Sequence, residues 1–320
     1  MKLQPYKFKP LLKTVIWGGD RIKQFKGIDT SLQNVGESWE VSGVEGHESI
    51  VDGGPDDGLS LSQLIAKYGS QLLGERVFEQ YGNQFPLLVK LIDAHRDLSV
   101  QVHPNDALAR RKHDCNGKTE MWYVIDHEPQ AQIMAGFNRN ITATDYDHMV
   151  ADGTIMDAIS HHKSRRGQVF FLPAGRIHAI GAGNFVAEIQ QSSDVTYRVY
   201  DYNRLDTNGQ PRELHTTLAR EALDFTKVDE KCEITPPENA ESSTLVACDY
   251  FIAEKHCING SLTISIPDSF VILMCIDGSA EFCNQIMPKV RIRQGETLLI
   301  PACMAQVTLI GHATLLTAHC

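Results

Sequence analysis

The 320-residue chain lacks any apolar run long enough to cross a membrane. Its longest near the C-terminus, Phe270 to Ile276, is seven residues, against the roughly 20 that a helical span needs. The opening stretch, MKLQPYKFKPLLK, interrupts its apolar residues with lysines and prolines, so it offers no signal-peptide core and a cytoplasmic location is expected. Basic residues are also short: 30 Lys and Arg face 40 Asp and Glu, a net charge of −10. That balance argues against nucleic-acid and anionic-membrane partners, both of which need a basic field. A small anion remains admissible, because a few local Arg and Lys can hold one phosphate. The eight cysteines contain no CxxC pair, and in a long chain without a secretion signal they are expected to be reduced, structural thiols.

What is present is a globular composition, 42% hydrophobic and 22% charged, at a length that suggests two domains. Helical spacing is clear in Leu59 to Tyr81, with Gly69 as a break, and from Thr142 to Ser160, where Thr142 and Asp145 suggest a capping box. Elsewhere short β-rich runs alternate with Gly, Asp, Asn and Pro. Examples are Trp39–Ser42, Leu87–Ile92, Leu98–His103, Met121–Ile125, Phe185–Ile189 and Thr196–Tyr200. Periodicity lapses between Thr226 and Ser243, so a metal-binding catalytic unit with helical segments is expected over 1–230. An all-β unit is expected over 231–320. An internal echo links the two. Gly167-Gln-Val-Phe-Phe-Leu-Pro173-Ala-Gly175-Arg-Ile-His178 overlays Gly295-Glu-Thr-Leu-Leu-Ile-Pro301-Ala-Cys303-Met-Ala-Gln306. Gln306 stands where the first copy has His178.

The candidate chemistry lies on three segments. In Leu98-Ser-Val-Gln-Val-His103-Pro104, strand alternation puts Ser99, Gln101 and His103 on one face and the valines on the other. In Gly117-Lys-Thr-Glu-Met-Trp122, Lys118, Glu120 and Trp122 face together, although a Lys and Glu so spaced often form only a solvated edge pair. Pro173-Ala-Gly-Arg-Ile-His178 places one histidine just past a tight turn. Two histidines and a carboxylate, with a Gln amide beside them, suit a divalent first-row metal such as Zn, Fe, Mn, Co or Ni. His161-His162 reads as a solvated helix end rather than a ligand pair. Trp17, Trp39 and Trp122 read as core aromatics.

Gly167-x5-Pro173-x-Gly175-x2-His178 resembles the second motif of the cupins, small β-barrels with a metal at the mouth. The Asn that often follows is displaced, with Ala182 in its place and Asn184 two residues on. More specifically, the chain resembles the type I mannose-6-phosphate isomerases, in the short bacterial form. The resemblance rests on Val15-Ile-Trp17-Gly18, Pro86-Leu-Leu-Val-Lys-Leu-Ile92, Leu98–Asp106, Gly117–Trp122, Phe171–Ile180 and Ala187–Arg204, in that order. It implies a mainly β fold of two cupin-like β-barrel or jelly-roll units, the second degenerate, with a few helices in the N-terminal half. It further implies a zinc ion (Zn2+), one per subunit, held by Gln101, His103, Glu120 and His178.

By the same resemblance, Lys118 and Arg198 would line the substrate, Glu188 would carry a proton, and Ser99 and Arg204 would hold a phosphate. Relatives with a longer insertion often carry Lys at the Arg204 position, and the two side chains are not geometrically equivalent. The implied reaction interconverts mannose 6-phosphate and fructose 6-phosphate through an enediolate, in a monomer or homodimer whose partner is the small sugar phosphate. Such chemistry needs cations where charge develops on oxygen. It also needs a base whose pKa lies near the working pH, which burial could bring about for Glu188. Plainer roles stay open: Glu188 as a structural partner of Arg198, Arg198 in a rim salt bridge, and Arg204 as a loop anchor. Two other functions fit the same residues, a cupin dioxygenase with a two-His, one-carboxylate iron site and a non-enzymatic sugar-phosphate-binding cupin.

Overall fold

A computed structural model of the protein describes residues 3–205, 209–228, 233–237, 240–283 and 290–320. Its strands form three antiparallel sheets. The first holds seven strands in the order Glu233–Ile234, Val169–Leu172, Glu120–His127, Asn184–Gln191, Leu87–Ala94, Val35–Ser42 and Leu11–Gly19. The second holds Tyr197–Tyr200, Val100–Val102, His178–Ile180, Gln132–Phe137 and Ile159–Lys163. The third is C-terminal, built mainly from Val271–Phe282, Gln306–His319 and Ile252–Ser265. This is the mainly β, cupin-type architecture expected, with sheets that stay open and face one another rather than closing into barrels.

Strand alternation explains why these sequences make three layers. On the central strands of the first sheet, Ile92, Trp122, Val124, Phe170, Leu172 and Val186 point one way. They pack against Ile133, Ala135 and Ile180 of the second sheet. The intervening residues Leu87, Val89, Leu91, Met121, Tyr123, Ala187 and Ile189 point the other way. Strands apolar on both faces must be covered twice. The second cover comes from the helices Leu61–Tyr68, Ser70–Leu73 and Glu75–Tyr81, from Ile272, Met274 and Leu316 of the C-terminal sheet, and from Phe270 just before it.

That common core joins the two units. Burying one large apolar side chain contributes roughly 1.5–3 kcal/mol, so contacts such as Phe85 on Phe270, 4.6 Å between ring centroids, outweigh any exposed ion pair at about 0–1 kcal/mol. The position expected for the domain division, between 230 and 231, lies outside the described residues. On either side of it the sheets exchange strands. Tyr6–Lys7 pairs with Thr297–Ile300, and Glu233–Ile234 pairs with Val169–Leu172.

Several sequence expectations are corrected. His161 and His162 lie on the edge strand Ile159–Lys163, not at a helix end, because the helix of that region stops at Asp152 before Gly153. The Thr142–Asp145 capping box is present. The short C-terminal runs fuse into strands of up to 14 residues. Three helices were not expected, Arg21–Lys26, Asp106–His113 and Thr216–Ala222; in Asp106–His113, which has few apolar residues, Asn105 caps the Leu108 N–H and four basic residues fill the last turn, which suits the helix dipole. No helix among the described residues is long and apolar enough to cross a membrane. The seven described cysteines are unpaired, with Cys283 and Cys303 exposed rather than packed; Cys232 lies outside the described residues.

Candidate functional site

The site forms at one end of the space between the first and second sheets. In the second sheet, Gln101 lies directly across from both His178 and Arg198. Side chains at paired positions share a face. Val100, Val102, Ala179 and Val199 occupy the opposite face under the helices. The row Arg198, Gln101, His178 therefore looks inward. In the first sheet two rows look back at it: Glu120 beside Gln190, and Trp122, Glu188 and Lys90 in sequence across three strands.

His103 follows the end of its strand, where its carbonyl accepts the Gly175 N–H at 2.9 Å and so ties the two histidine segments together. The chain then doubles back past this corner at Gly117, whose α-carbon has backbone atoms of Asn105 and Asp106 where a Cβ would sit, 2.5 Å from the Asp106 nitrogen. Only glycine allows that approach. The passage brings Lys118 and Glu120 to the histidines.

Each imidazole is oriented by a carbonyl. His103 Nδ1 lies 2.9 Å from the Val195 oxygen and His178 Nδ1 lies 2.8 Å from the Arg176 oxygen. A carbonyl oxygen only accepts, so the proton sits on Nδ1 and the lone pair on Nε2. Burial holds both rings neutral: His103 lies well below its ordinary value and His178 at about 3. Their Nε2 atoms lie 3.5 and 3.3 Å from the two Glu120 oxygens. All four atoms are buried, and apart from Lys118, whose Nζ pairs with Glu120 Oε2, none meets a hydrogen-bond partner among the described residues.

Acceptors facing acceptors in a dry site are unfavourable unless a cation lies between them. Ligand atoms about 2.0–2.1 Å from a tetrahedral centre stand roughly 3.3 Å apart, which matches these separations. Among the described His, Cys, Asp and Glu side chains, only this trio draws its ligand atoms to within 4.8 Å of one another. Without a cation, burial pushes the Glu120 carboxyl up to about 7 despite Lys118, whose Nζ is 3.1 Å from Oε2.

Glu188 behaves in the opposite way to that expected. Burial alone would raise it, but the charges of Lys90 and Lys118 and the hydrogen bonds it accepts hold it down at about 2. Lys90 Nζ lies 3.0 Å from Oε1, and Trp122 Nε1 donates to Oε2 at 2.9 Å. Its partner is thus Lys90, not Arg198. Arg198 donates instead to the Glu213 carbonyl at 2.7 Å and leaves its Nε buried without a partner among the described residues. Ser99 is buried just before its strand. Arg204 bonds the Asp201 carboxylate and the Asp97 carbonyl.

The type I phosphomannose isomerase catalytic-domain model matches residues 6–141, and the mannose-6-phosphate isomerase cupin-domain model matches residues 241–320. A curated mannose-6-phosphate isomerase of Bacillus subtilis is 34% identical over the whole of both chains. The chain belongs to the type I mannose-6-phosphate isomerase family. Another relative in the family, the mannose-6-phosphate isomerase of Streptococcus mutans, is 31% identical over 95% of this chain and 94% of its own. The crystal structure of the Bacillus subtilis mannose 6-phosphate isomerase superposes with a TM-score of 0.90 at 33% identity, covering 99% of this chain and all of that one. As a member of this family of isomerases, the chain is an enzyme.

Two side chains at this family site escaped the sequence reading, although each left a signal. Lys90 interrupts Leu87-Leu-Val-Lys-Leu-Ile92, a run buried on both faces, where a charge must be paired. It is held above its ordinary value because the charges of Glu188 and Glu37 overcome burial. Gln190, across from Glu120, is wholly buried and spends its amide N–H groups on the Gln191 and Ser193 carbonyls. Its own oxygen is left without a partner among the described residues.

Proposed function

We propose that the chain interconverts mannose 6-phosphate and fructose 6-phosphate, using a divalent metal held by Gln101, His103, Glu120 and His178, with zinc the ion that suits this donor set best. The buried, acceptor-only arrangement of His103, Glu120 and His178 carries the reading, within a chain whose full-length relatives are named for this reaction. Gln101 would complete the set from its place across the strand from His178. When bound, such an ion polarises the carbonyl and hydroxyl oxygens on C1 and C2.

The remaining groups act on the same charge. Lys118, beside Glu120, and Arg198, in the row with His178, place cations where negative charge grows on the enediolate oxygens. Ser99 and Arg204 are the proposed holders of the phosphate end. Glu188 stays in its basic form, held below its ordinary value by the charges of Lys90 and Lys118 against the pull of burial. Its proposed part is to act on the proton moving between C1 and C2, with Lys90 fixing its position and charge. Cytoplasmic residence completes this reading.

The test is conversion of mannose 6-phosphate by purified protein, by chelated protein and by protein restored with zinc. Turnover that disappears on chelation and returns with zinc is expected. Metal-loaded protein without turnover would defeat the assignment of the reaction while leaving the fold intact.

A further inference from the structure

Lys118 reaches the site on backbone that belongs to no strand. Residues 117–119 come just before the strand Glu120–His127 and lie outside its ladder. Each of their N–H groups is nevertheless taken, two of the three by side chains. Gly117 donates to Asp106 Oδ1 at 2.8 Å, Lys118 to the Pro104 carbonyl at 3.0 Å, and Thr119 to Gln191 Oε1 at 2.8 Å. The Gln191 N–H returns to the Thr119 carbonyl at 3.1 Å. Backbone and amide together thus carry the pairing of Glu120 with Gln190 one residue further.

Asp106 gathers these bonds. Besides the Gly117 N–H, its Oδ1 accepts the Gln191 side-chain amide at 3.1 Å. Its Oδ2 accepts the Tyr250 hydroxyl at 3.1 Å, which brings the C-terminal unit to this corner. Burial and the Asp106 charge push that hydroxyl up to about 12, so it stays protonated and donates at neutral pH. Asp106 opens the helix Asp106–His113, but Asn105 supplies the cap. The Asp106 carboxylate is turned instead to donors 11, 85 and 144 residues away in the chain. A charged acceptor holds such donors more firmly than a neutral one. Asp106, Gln191 and Tyr250 also stand on the wall of a cavity of about 810 Å³ between the two units. A cavity wall has no packing on one side, so directed hydrogen bonds set where Asp106 and Gln191 lie.

We propose that Asp106 is a positioning residue for Lys118 and Glu120, and that Tyr250 makes the C-terminal unit part of the active site's support. Asp106 and Gln191 fix the peptides on either side of Lys118, whose Nζ lies 3.1 Å from Glu120 Oε2. A misplacement of about 1 Å in such a group costs about a hundredfold in rate. The proposal rests on the isomerase reading for what turnover measures, whereas the metal site can be followed without it.

The first test is the zinc affinity of the chelated full chain, measured by competition with a chromogenic chelator. Asp106→Ala frees the Gly117 and Gln191 donors and weakens zinc binding by about tenfold, as loss of a partner behind a ligand does. Asp106→Asn, which keeps an acceptor oxygen, recovers part of the loss, and Tyr250→Phe moves the same way by less. Wild-type zinc affinity in Asp106→Ala, whatever its melting temperature, makes Asp106 merely structural and overturns the proposal. Should Asp106→Ala not fold, Gln191→Leu carries the test, with the same expectation and the same overturning result.

The second test is a double-mutant cycle in kcat for mannose 6-phosphate. Asp106→Ala alone lowers kcat by about tenfold or more with KM little changed. In the Lys118→Ala background it lowers kcat far less, because the group it positions is gone. Falls that simply multiply overturn the proposal, since the loss then does not pass through Lys118. Wild-type kcat and zinc affinity in Tyr250→Phe overturn the part given to the C-terminal unit. Zinc affinity that depends on Asp106 in a chain without turnover would sink the isomerase reading and leave the positioning role standing. Turnover with unaltered kcat and zinc affinity in Asp106→Ala would do the reverse.

Discussion

Two segments of this chain trace the same path and end in opposite environments. Gly167 and Gly295 both turn with positive φ, 81° and 80°. Each is followed two residues later by a four-residue strand, Val169–Leu172 or Thr297–Ile300, and then by Pro173 or Pro301. The next strand opens at His178 in one copy and at Gln306 in the other. His178 is buried against Glu120, whereas Gln306 is exposed. Around the second copy the interior is filled by Ile258, Leu273, Ile292, Leu298, Leu309 and Leu315.

The shared backbone thus supports two interiors, one closed by apolar packing and one left open for polar groups that need a ligand. The second unit's buried histidine makes the same distinction. His256 has a partner on each ring nitrogen, Ser242 Oγ at 2.8 Å and Thr317 Oγ1 at 3.1 Å. His103 and His178 each leave Nε2 without one. A satisfied imidazole is a structural group. One with a buried, free lone pair is built for an ion.

Replacing His178 by the residue of the second copy should break the contrast most severely. His178→Gln is expected to lose bound metal and all measurable turnover, read by elemental analysis and by the isomerase assay. A full complement of metal in this variant would remove His178 from the ligands. Arg198→Ala comes next: metal stays, and turnover falls by about 10²–10³, the usual loss of one group that stabilises developing charge. Near-normal kinetics would take Arg198 out of the catalytic set.

Glu188→Gln sharpens the comparison between buried charge and buried apolar packing. Leaving Lys90 without its nearest carboxylate should cost about 3–5 kcal/mol at neutral pH. Because the folded pKa of Glu188 lies at about 2, below its ordinary 4.5, that stability is present above pH 4.5 and is lost as pH falls toward 2. The difference in melting temperature between wild type and variant, both chelated, should therefore shrink on acidification. Turnover in the metal-loaded variant should fall by about a hundredfold. Near-normal turnover with metal retained would take Glu188 off the moving proton. The smallest effect is reserved for Gln306→His, which should bind no second metal ion because its position is exposed and surrounded by no matching ligands among the described residues.

Much of this was legible in the chain itself. Alternation around Gln101, the Gly-x5-Pro repeat and the Thr142 cap are local patterns, and local patterns follow from backbone geometry. The candidate trio could be picked out because His103 stands just past a strand end, and Glu120 and His178 each open a strand after a turn. The helix Asp106–His113 could not be read from periodicity, since its stability comes from its cap and terminal charges rather than an apolar face.

Tertiary structure alone decided the electrostatics. Two carboxylates buried to similar depth, Glu120 and Glu188, are driven in opposite directions, the first above its ordinary value and the second below it. The difference arises because Lys90, from a strand nearly a hundred residues away in sequence, pairs with one of them. The sequence determined by itself the strand faces on which Gln101, Glu120 and Glu188 lie, since period and turn residues are properties of a segment. Which charges neutralise one another, and which buried acceptors are left facing each other, depends on distances between segments, and only the packed sheets set those.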